Sequence, residues 1–129
     1  ASLIIAGAGP EEARLKAQCR SLGIEGAVRL LGSIKRPYAY YPGASMYVLS
    51  SRQEGLPNSL IEALVGGLPV VATPASGGIA DLLRAQPGTW LAPGISVSAL
   101  SATLLDALDS LSSGQRFQRS FSMTANRRE

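Results

Sequence analysis

Glu54 and Glu62 stand eight residues apart and enclose Gly55-Leu56-Pro57-Asn58-Ser59-Leu60-Ile61. A carboxylate accepts hydrogen bonds from hydroxyl groups. The first N–H groups of a helix have no partner inside it and therefore meet anions. A polar turn running into a helix start between two carboxylates can hold a sugar and a phosphate at once. Two glycine turns, Gly7-Ala8-Gly9-Pro10 and Gly77-Gly78, offer further backbone donors.

Each of these features also has a plain structural use. Ser59-x-x-Glu62 spells a capping box, with Ser59 as N-cap and Glu62 reaching back to its N–H. A helix beginning at Pro57 would instead leave the Glu62 carboxylate free in the second turn, and local sequence leaves both options open. Glu54 has no capping role before that helix; its structural alternative is an ion pair with Arg52. Gly7-x-Gly9-x-x-Glu12 approximates a dinucleotide fingerprint, but Glu12 sets a negative charge where pyrophosphate would lie. Glu25 has the spacing of the ribose-binding acid, yet follows Gly23 as a loop residue would. A generic tight strand-to-helix turn is the better fit, with a bordering nucleotide left open. Gly77-Gly78 either receives an anion or simply turns the chain. Lys35-Arg36 reads as a solvated surface pair, and Tyr38, Tyr40 and Tyr41 as space-fillers beneath a loop. Arg116, Arg119, Arg127 and Arg128 read as solubilising a frayed terminus.

Composition narrows the classes. The chain has 129 residues, 12 Lys and Arg against 9 Asp and Glu, and no histidine. The commonest general base and metal ligand is therefore missing, and no metal or other cofactor is expected. The basic residues are scattered and aromatics make up only 5%, which argues against nucleic acid as a partner. Cys19 is alone, so no internal disulfide forms, and the expected compartment is the cytoplasm. No apolar run reaches the roughly 18 residues of a membrane span, and Ala1–Ala6 is too short for a signal segment.

The elements that must carry these residues alternate. Leu3–Ala6 reads as a strand buried on both faces, followed by a helix opened by Pro10, Glu11 and Glu12 and stopped by Gly23. Ala27–Leu31 and Ala44–Leu49 read as strands, with a short helix over Lys35–Tyr41 between them. A helix over Asn58–Val65 ends at Gly66-Gly67, Val70–Thr73 is a strand, and Gly77-Gly78 introduces a helix. Trp90–Ala92 reads as a last strand. Leu100, Leu104, Ala107, Leu108 and Leu111 form the apolar stripe of a final helix. Phe117 and Phe121 are candidate docking anchors beyond it. This alternation predicts an α/β fold with a Rossmann-like, three-layer parallel sheet. The loops Gly7–Pro10, Gly32–Lys35, Ser50–Asn58 and Thr73–Gly78 all follow strands, so they should converge on the ligand-binding rim. One domain over residues 1–111 and a C-terminal tail over 112–129, with helix as an open option, complete the layout.

In this order, Leu3–Pro10, Val28–Gly32, Tyr41–Ser45, the Glu54-to-Glu62 motif, Gly67–Thr73 and Gly77–Asp81 resemble the C-terminal half of a GT-B glycosyltransferase. The group in question is the large retaining family that includes sucrose synthases and bacterial polysaccharide glycosyltransferases. The resemblance runs from Leu3 to about Leu111 and implies a nucleotide-diphosphate sugar donor, transferred without a metal ion. It implies that Glu54 contacts the donor sugar as the catalytic-site carboxylate. Gly55, Leu56, Pro57 and Asn58 would present backbone donors, and Ser59 and Leu60 would lie near the diphosphate. Glu62 would bind the ribose hydroxyls, Gly7 and Gly9 would let the nucleotide approach, and Gly32, Ser33 and Lys35 would lie near the base.

Three departures accompany the resemblance. Ser45 stands where the family commonly has Asp, and Asp81 where it has Glu. The family's phosphate-binding Arg and Lys, with the first strand and helix of this half, have no counterpart here. The missing strand would lie between Leu3–Ala6 and Ala44–Leu49, so the chain is expected to be part of a longer enzyme, inactive alone and prone to self-association. The intact enzyme would be peripheral to a membrane, with an acceptor that the sequence does not specify. A non-catalytic binding module is the competing class, and an NAD-dependent oxidoreductase a third.

Overall fold

The computed structural model describes residues 2–7 and 9–121; Arg127 and Arg128 lie outside them. The chain divides after Pro37 into two compact units, where the sequence predicted one domain over 1–111. The described strands are all paired in parallel, in two sheets, β1–β2 and β3–β4–β5; the pairing is interrupted between β1 and β3, the two strands between which the resemblance puts the missing one.

The first unit is a β-α-β element: β1 (Leu3–Ala6), α1 (Glu12–Ser21), a 3-10 turn (Glu25–Ala27) and β2 (Val28–Gly32). Glu12 in the first turn of α1 and Arg20 in the last suit the helix dipole. The helix ends in a Schellman turn: Ile24 N–H reaches Cys19 O (2.9 Å) and Gly23 N–H reaches Arg20 O (3.1 Å), with Gly23 at φ 69°. The expectation that β1 is buried on both faces fails, since Leu3 and Ile4 are 48% and 41% exposed. Within its unit β1 has a strand on one edge only, and α1 has no buried residue with which to cover it.

The second unit, from Tyr38 onward, holds the core. A 3-10 helix (Pro37–Gly43) replaces the short helix expected at Lys35–Tyr41. Then come β3 (Tyr47–Leu49), α2 (Asn58–Val65), β4 (Val70–Ala72), α3 (Gly77–Arg84), β5 (Thr89–Leu91) and α4 (Val97–Ser110). Every residue of the central strand β4 is buried, as a parallel strand covered on both faces must be. Val70 and Ala72 pack with Leu60, Leu64, Ile79 and Leu83 from α2 and α3. Val71 points the opposite way by the period of two, toward the side where α4 crosses β4 and β5. This unit therefore has the expected three layers. On α4 only Ala107 is fully buried; Leu108, placed in the apolar stripe by its spacing, is 55% exposed.

Residues 112–121 contain no helix. They form a strap held by its own arginines. Arg116 donates to the carbonyls of Tyr41, Pro42 and Ala44, and Arg119 to those of Leu64, Pro87 and Gly88. The strap's backbone joins in through Phe117 N–H to Gly67 O (2.8 Å). Phe117 sits edge-on to Trp90, with the Arg119 guanidinium 5.6 Å from its ring centre. Burial lowers the Arg119 pKa. These two arginines thus staple the chain end and do not merely solubilise it. Phe121 is 36% exposed and docks far less than Phe117.

Candidate functional site

The loops that leave the carboxyl ends of β3 and β4 meet, as strand order requires. Thr73, just past β4, is buried; its N–H donates to Leu49 O (3.0 Å) and its hydroxyl to Ser51 O. Ser51 Oγ in turn donates to Glu54 Oε2 (3.0 Å). Farther along, Ser76 Oγ donates to Gly55 O (3.3 Å) while accepting from Ile79 N–H (3.2 Å) as the N-cap of α3. The starts of α2 and α3 therefore share one rim of the β3–β4–β5 sheet.

The structure decides between the two helix starts that the sequence left open. Pro57 is the N-cap of α2, in extended conformation and with no side-chain cap. Ser59 is the second helical residue, and its Oγ lies 2.8 Å from the Tyr47 hydroxyl. The capping box is not formed, and Glu62 falls in the second turn. Among the described residues the Glu62 carboxylate makes no hydrogen bond or ion pair, and the N–H groups of Asn58 and Ser59 have no hydrogen-bond acceptor. Nor does Glu54 pair with Arg52 there; its carboxylate is exposed and oriented by Ser51.

Both carboxylates act on one phenol. Burial raises the Tyr47 pKa, the Ser59 hydrogen bond opposes this, and the negative charges of Glu54 and Glu62 add to the rise. Tyr41 is pushed up to about 12, chiefly by burial, then by Tyr47 and Glu62. The two rings meet edge to face at 6.0 Å, and Tyr41 OH donates to Ser59 O (3.1 Å). Tyr41 thus fills space as expected, whereas Tyr38 and Tyr40 are exposed.

The remaining motif residues separate by burial. Gly55 and Asn58 are exposed, Leu56 is 50% exposed, and Pro57 is half-buried. The Leu60 side chain is wholly buried in the core and its N–H turns back to Pro57 O (3.1 Å). Gly7, Gly9, Gly32, Ser33 and Lys35 belong to the first unit. There Gly7 (φ 125°) and Gly32 (φ 70°) join by a 2.7 Å hydrogen bond from Gly7 N–H to Gly32 O. Gly9 borders a shallow hollow of about 280 Å³ over the β1 end, walled by Glu11 and Glu12. Ser33, Lys35 and Arg36 are exposed.

Sequence reasoning missed Tyr47, Thr73, Ser51 and Ser76. Ser76 was legible, since a serine three residues before Ile79 is an ordinary N-cap signal. The others act across loops, and no local spacing announces them.

Comparison with known proteins shows what this arrangement resembles. The family model described as glycosyl transferases group 1 matches residues 1–122. An uncharacterised glycosyltransferase from Haemophilus influenzae is 38% identical over 90 residues, covering 70% of this chain and 26% of that protein. The amylovoran biosynthesis glycosyltransferase AmsK of Erwinia amylovora is 38% identical over 112 residues, covering 78% and 26%. Among solved structures, the lipopolysaccharide outer core galactosyltransferase WaaB aligns with a TM-score of 0.71 at 25% identity, covering 84% of this chain and 31% of that one. Sucrose-phosphate synthase from Thermosynechococcus elongatus gives 0.69 at 24% identity, covering 84% and 29%, and so bears on fold alone. The chain spans about a quarter of the length of the curated relatives it matches.

Proposed function

Because this chain belongs to the group 1 glycosyl transferases, we propose that the rim above β3 and β4 binds the nucleotide-diphosphate sugar donor of a retaining, metal-independent sugar transfer. Glu54 takes the donor sugar hydroxyls. Gly55, Leu56, Pro57 and Asn58 line the approach with backbone groups, and the mouth of α2 at Ser59 and Leu60 faces the diphosphate. Glu62 takes the ribose. In the first unit, taken by itself, Gly7, Gly9, Gly32, Ser33 and Lys35 are the proposed nucleotide-binding residues.

One observation carries this reading: Glu54, held by Ser51, opens the loop that runs into α2, Glu62 stands unpartnered in the second turn of that helix, and between them the Asn58 and Ser59 N–H groups are unpartnered among the described residues. Carboxylates for hydroxyls and free N–H groups for an anion are thereby neighbours. The 129-residue chain would bind donor without turning it over, because positive charge must stabilise the departing diphosphate. Among the described residues no Lys or Arg forms an ion pair with Glu54 or Glu62. The acceptor site, and any attachment to a membrane surface, belong to the intact protein; no helix of the described residues is long and apolar enough to cross a membrane.

Calorimetric titration of the chain with UDP-glucose, GDP-mannose and ADP-glucose tests the proposal. Saturable binding of one of them, unaffected by EDTA, is expected. Absence of binding to all three, with the chain shown folded by circular dichroism, would sink it.

A further inference from the structure

We propose that Tyr47 is a positioning residue of the α2 mouth: its hydroxyl, bonded to Ser59 Oγ, holds the first turn of α2 in the geometry that presents the Asn58 and Ser59 N–H groups. This rests on the reading of that rim as the donor site.

Ser59 is held from two sides. Tyr47 OH meets its side chain at 2.8 Å and Tyr41 OH meets its carbonyl at 3.1 Å. The helix start itself supplies little order, since Pro57 provides no side-chain cap and an uncapped first turn frays. A serine inside a first turn ordinarily bonds nearby backbone and loosens it; here the phenol takes that hydroxyl. The strand also gives Tyr47 no other polar partner. Its N–H belongs to the ladder, bonded to Pro69 O, and its ring lies against the core that includes Leu49 and Leu60. A phenylalanine would fill the same apolar space, so the hydroxyl is spent on Ser59 alone. The clamp also stands within the field of both carboxylates, so motion of Ser59 would move the donors relative to Glu54 and Glu62.

The test pairs Tyr47→Phe with Ser59→Ala and the double variant, using Tyr40→Phe at an exposed, unbonded position as control. Backbone amide exchange of the ligand-free chain is followed over residues 54–62, and affinity is titrated with UDP-glucose, GDP-mannose and ADP-glucose. A net hydrogen bond corresponds to about a three- to tenfold change. Tyr47→Phe should raise first-turn exchange and weaken binding by about that factor. The double variant should be no worse than the worse single one, and Tyr40→Phe should match the parent chain. Unchanged exchange and affinity in Tyr47→Phe, or only a lowered melting temperature, would overturn the inference. Binding of none of the three nucleotides by the parent chain would defeat the functional proposal. The exchange result would then still decide, by itself, whether Tyr47 orders the helix mouth.

Discussion

The Ser76 hydroxyl donates to the Gly55 carbonyl at 3.3 Å while capping its own helix through Ile79 N–H at 3.2 Å. One side chain thus ties the turn after Glu54 to the start of α3. Ser76→Ala removes both bonds and should lower unfolding stability in urea by about 1 kcal/mol, the usual worth of an N-cap. Ser76→Asp can still accept from Ile79 N–H but cannot donate to Gly55. It should recover most of the stability while binding nucleotide sugar as weakly as the alanine variant. Recovery of both properties would show that the Gly55 tether is idle.

Glu62 lies in the second turn of α2 and caps nothing, its carboxylate unpartnered among the described residues. Glu62→Ala should therefore leave the melting temperature within a degree or two while removing a charge-assisted contact worth about 1.5–3 kcal/mol, roughly ten- to a hundredfold in affinity. Titration and thermal unfolding of the same sample separate the outcomes. Undiminished binding with lower stability would restore a structural role for this carboxylate.

How much of this was written in local sequence depends on the reach of each interaction. The end of the Asn58–Val65 helix is legible from Gly66-Gly67, which closes it in a Schellman turn with Leu68 N–H on Ala63 O (3.1 Å), whereas its start is open between Ser59 and Pro57 in local sequence and only the structure makes Pro57 the N-cap. Thr89–Leu91 and Val28–Gly32 lie within one residue of their expected bounds. The β3 strand is shorter than expected, starting at Tyr47, because Ala44 through Met46 follow the 3-10 helix before a ladder partner is reached. Periodicity reports faces of a strand and says nothing of its edges, so the split into two sheets was legible only through the resemblance, whose missing strand falls between Leu3–Ala6 and Ala44–Leu49. Arg116 and Arg119 were misread for a related reason. A charge near a chain end looks solvated unless one knows which carbonyls lie beneath it, and here those carbonyls are 31 to 75 residues away in sequence. The paired carboxylates were legible as a motif, while the Tyr47 phenol was not, since its bond to Ser59 links a strand to a helix start twelve residues on.

The strap predicts a contrast between two glycines of nearly equal φ. Gly88 (φ 70°) lies under Phe117, whose ring atoms would stand 2.3–2.6 Å from an added Cβ; Gly114 (φ 68°) faces open space. Alanine at either position costs about 1 kcal/mol for the left-handed backbone. Only at Gly88 does overpacking add about 1–3 kcal/mol more. Urea unfolding of Gly88→Ala, Gly114→Ala and Gly88→Ala/Phe117→Ala isolates the ring's part. The double variant should regain much of the overpacking loss, though not the loss of Phe117 contacts with Trp90 and Arg119.

Alkaline stability follows from the same phenols that hold Ser59. Tyr41 titrates at about 12 in the folded chain against an ordinary 10, burial being the main cause, and Tyr47 is raised as well. A raised native pKa means that between these values the folded state keeps protons which the unfolded state has released. Stability from these groups is therefore complete below pH 10 and declines as pH climbs toward 12. In wild type, phenol absorbance near 295 nm should show two late-titrating tyrosines, and the urea midpoint should fall over the same window. Tyr41→Phe should abolish one late step and reduce the fall; Tyr41→Phe/Tyr47→Phe should remove most of it, leaving only what lysine and arginine titration contributes. Were the double variant to lose stability over pH 10–12 as steeply as wild type, the phenols would not be the groups whose ionisation lowers alkaline stability, and their burial would have no energetic consequence there.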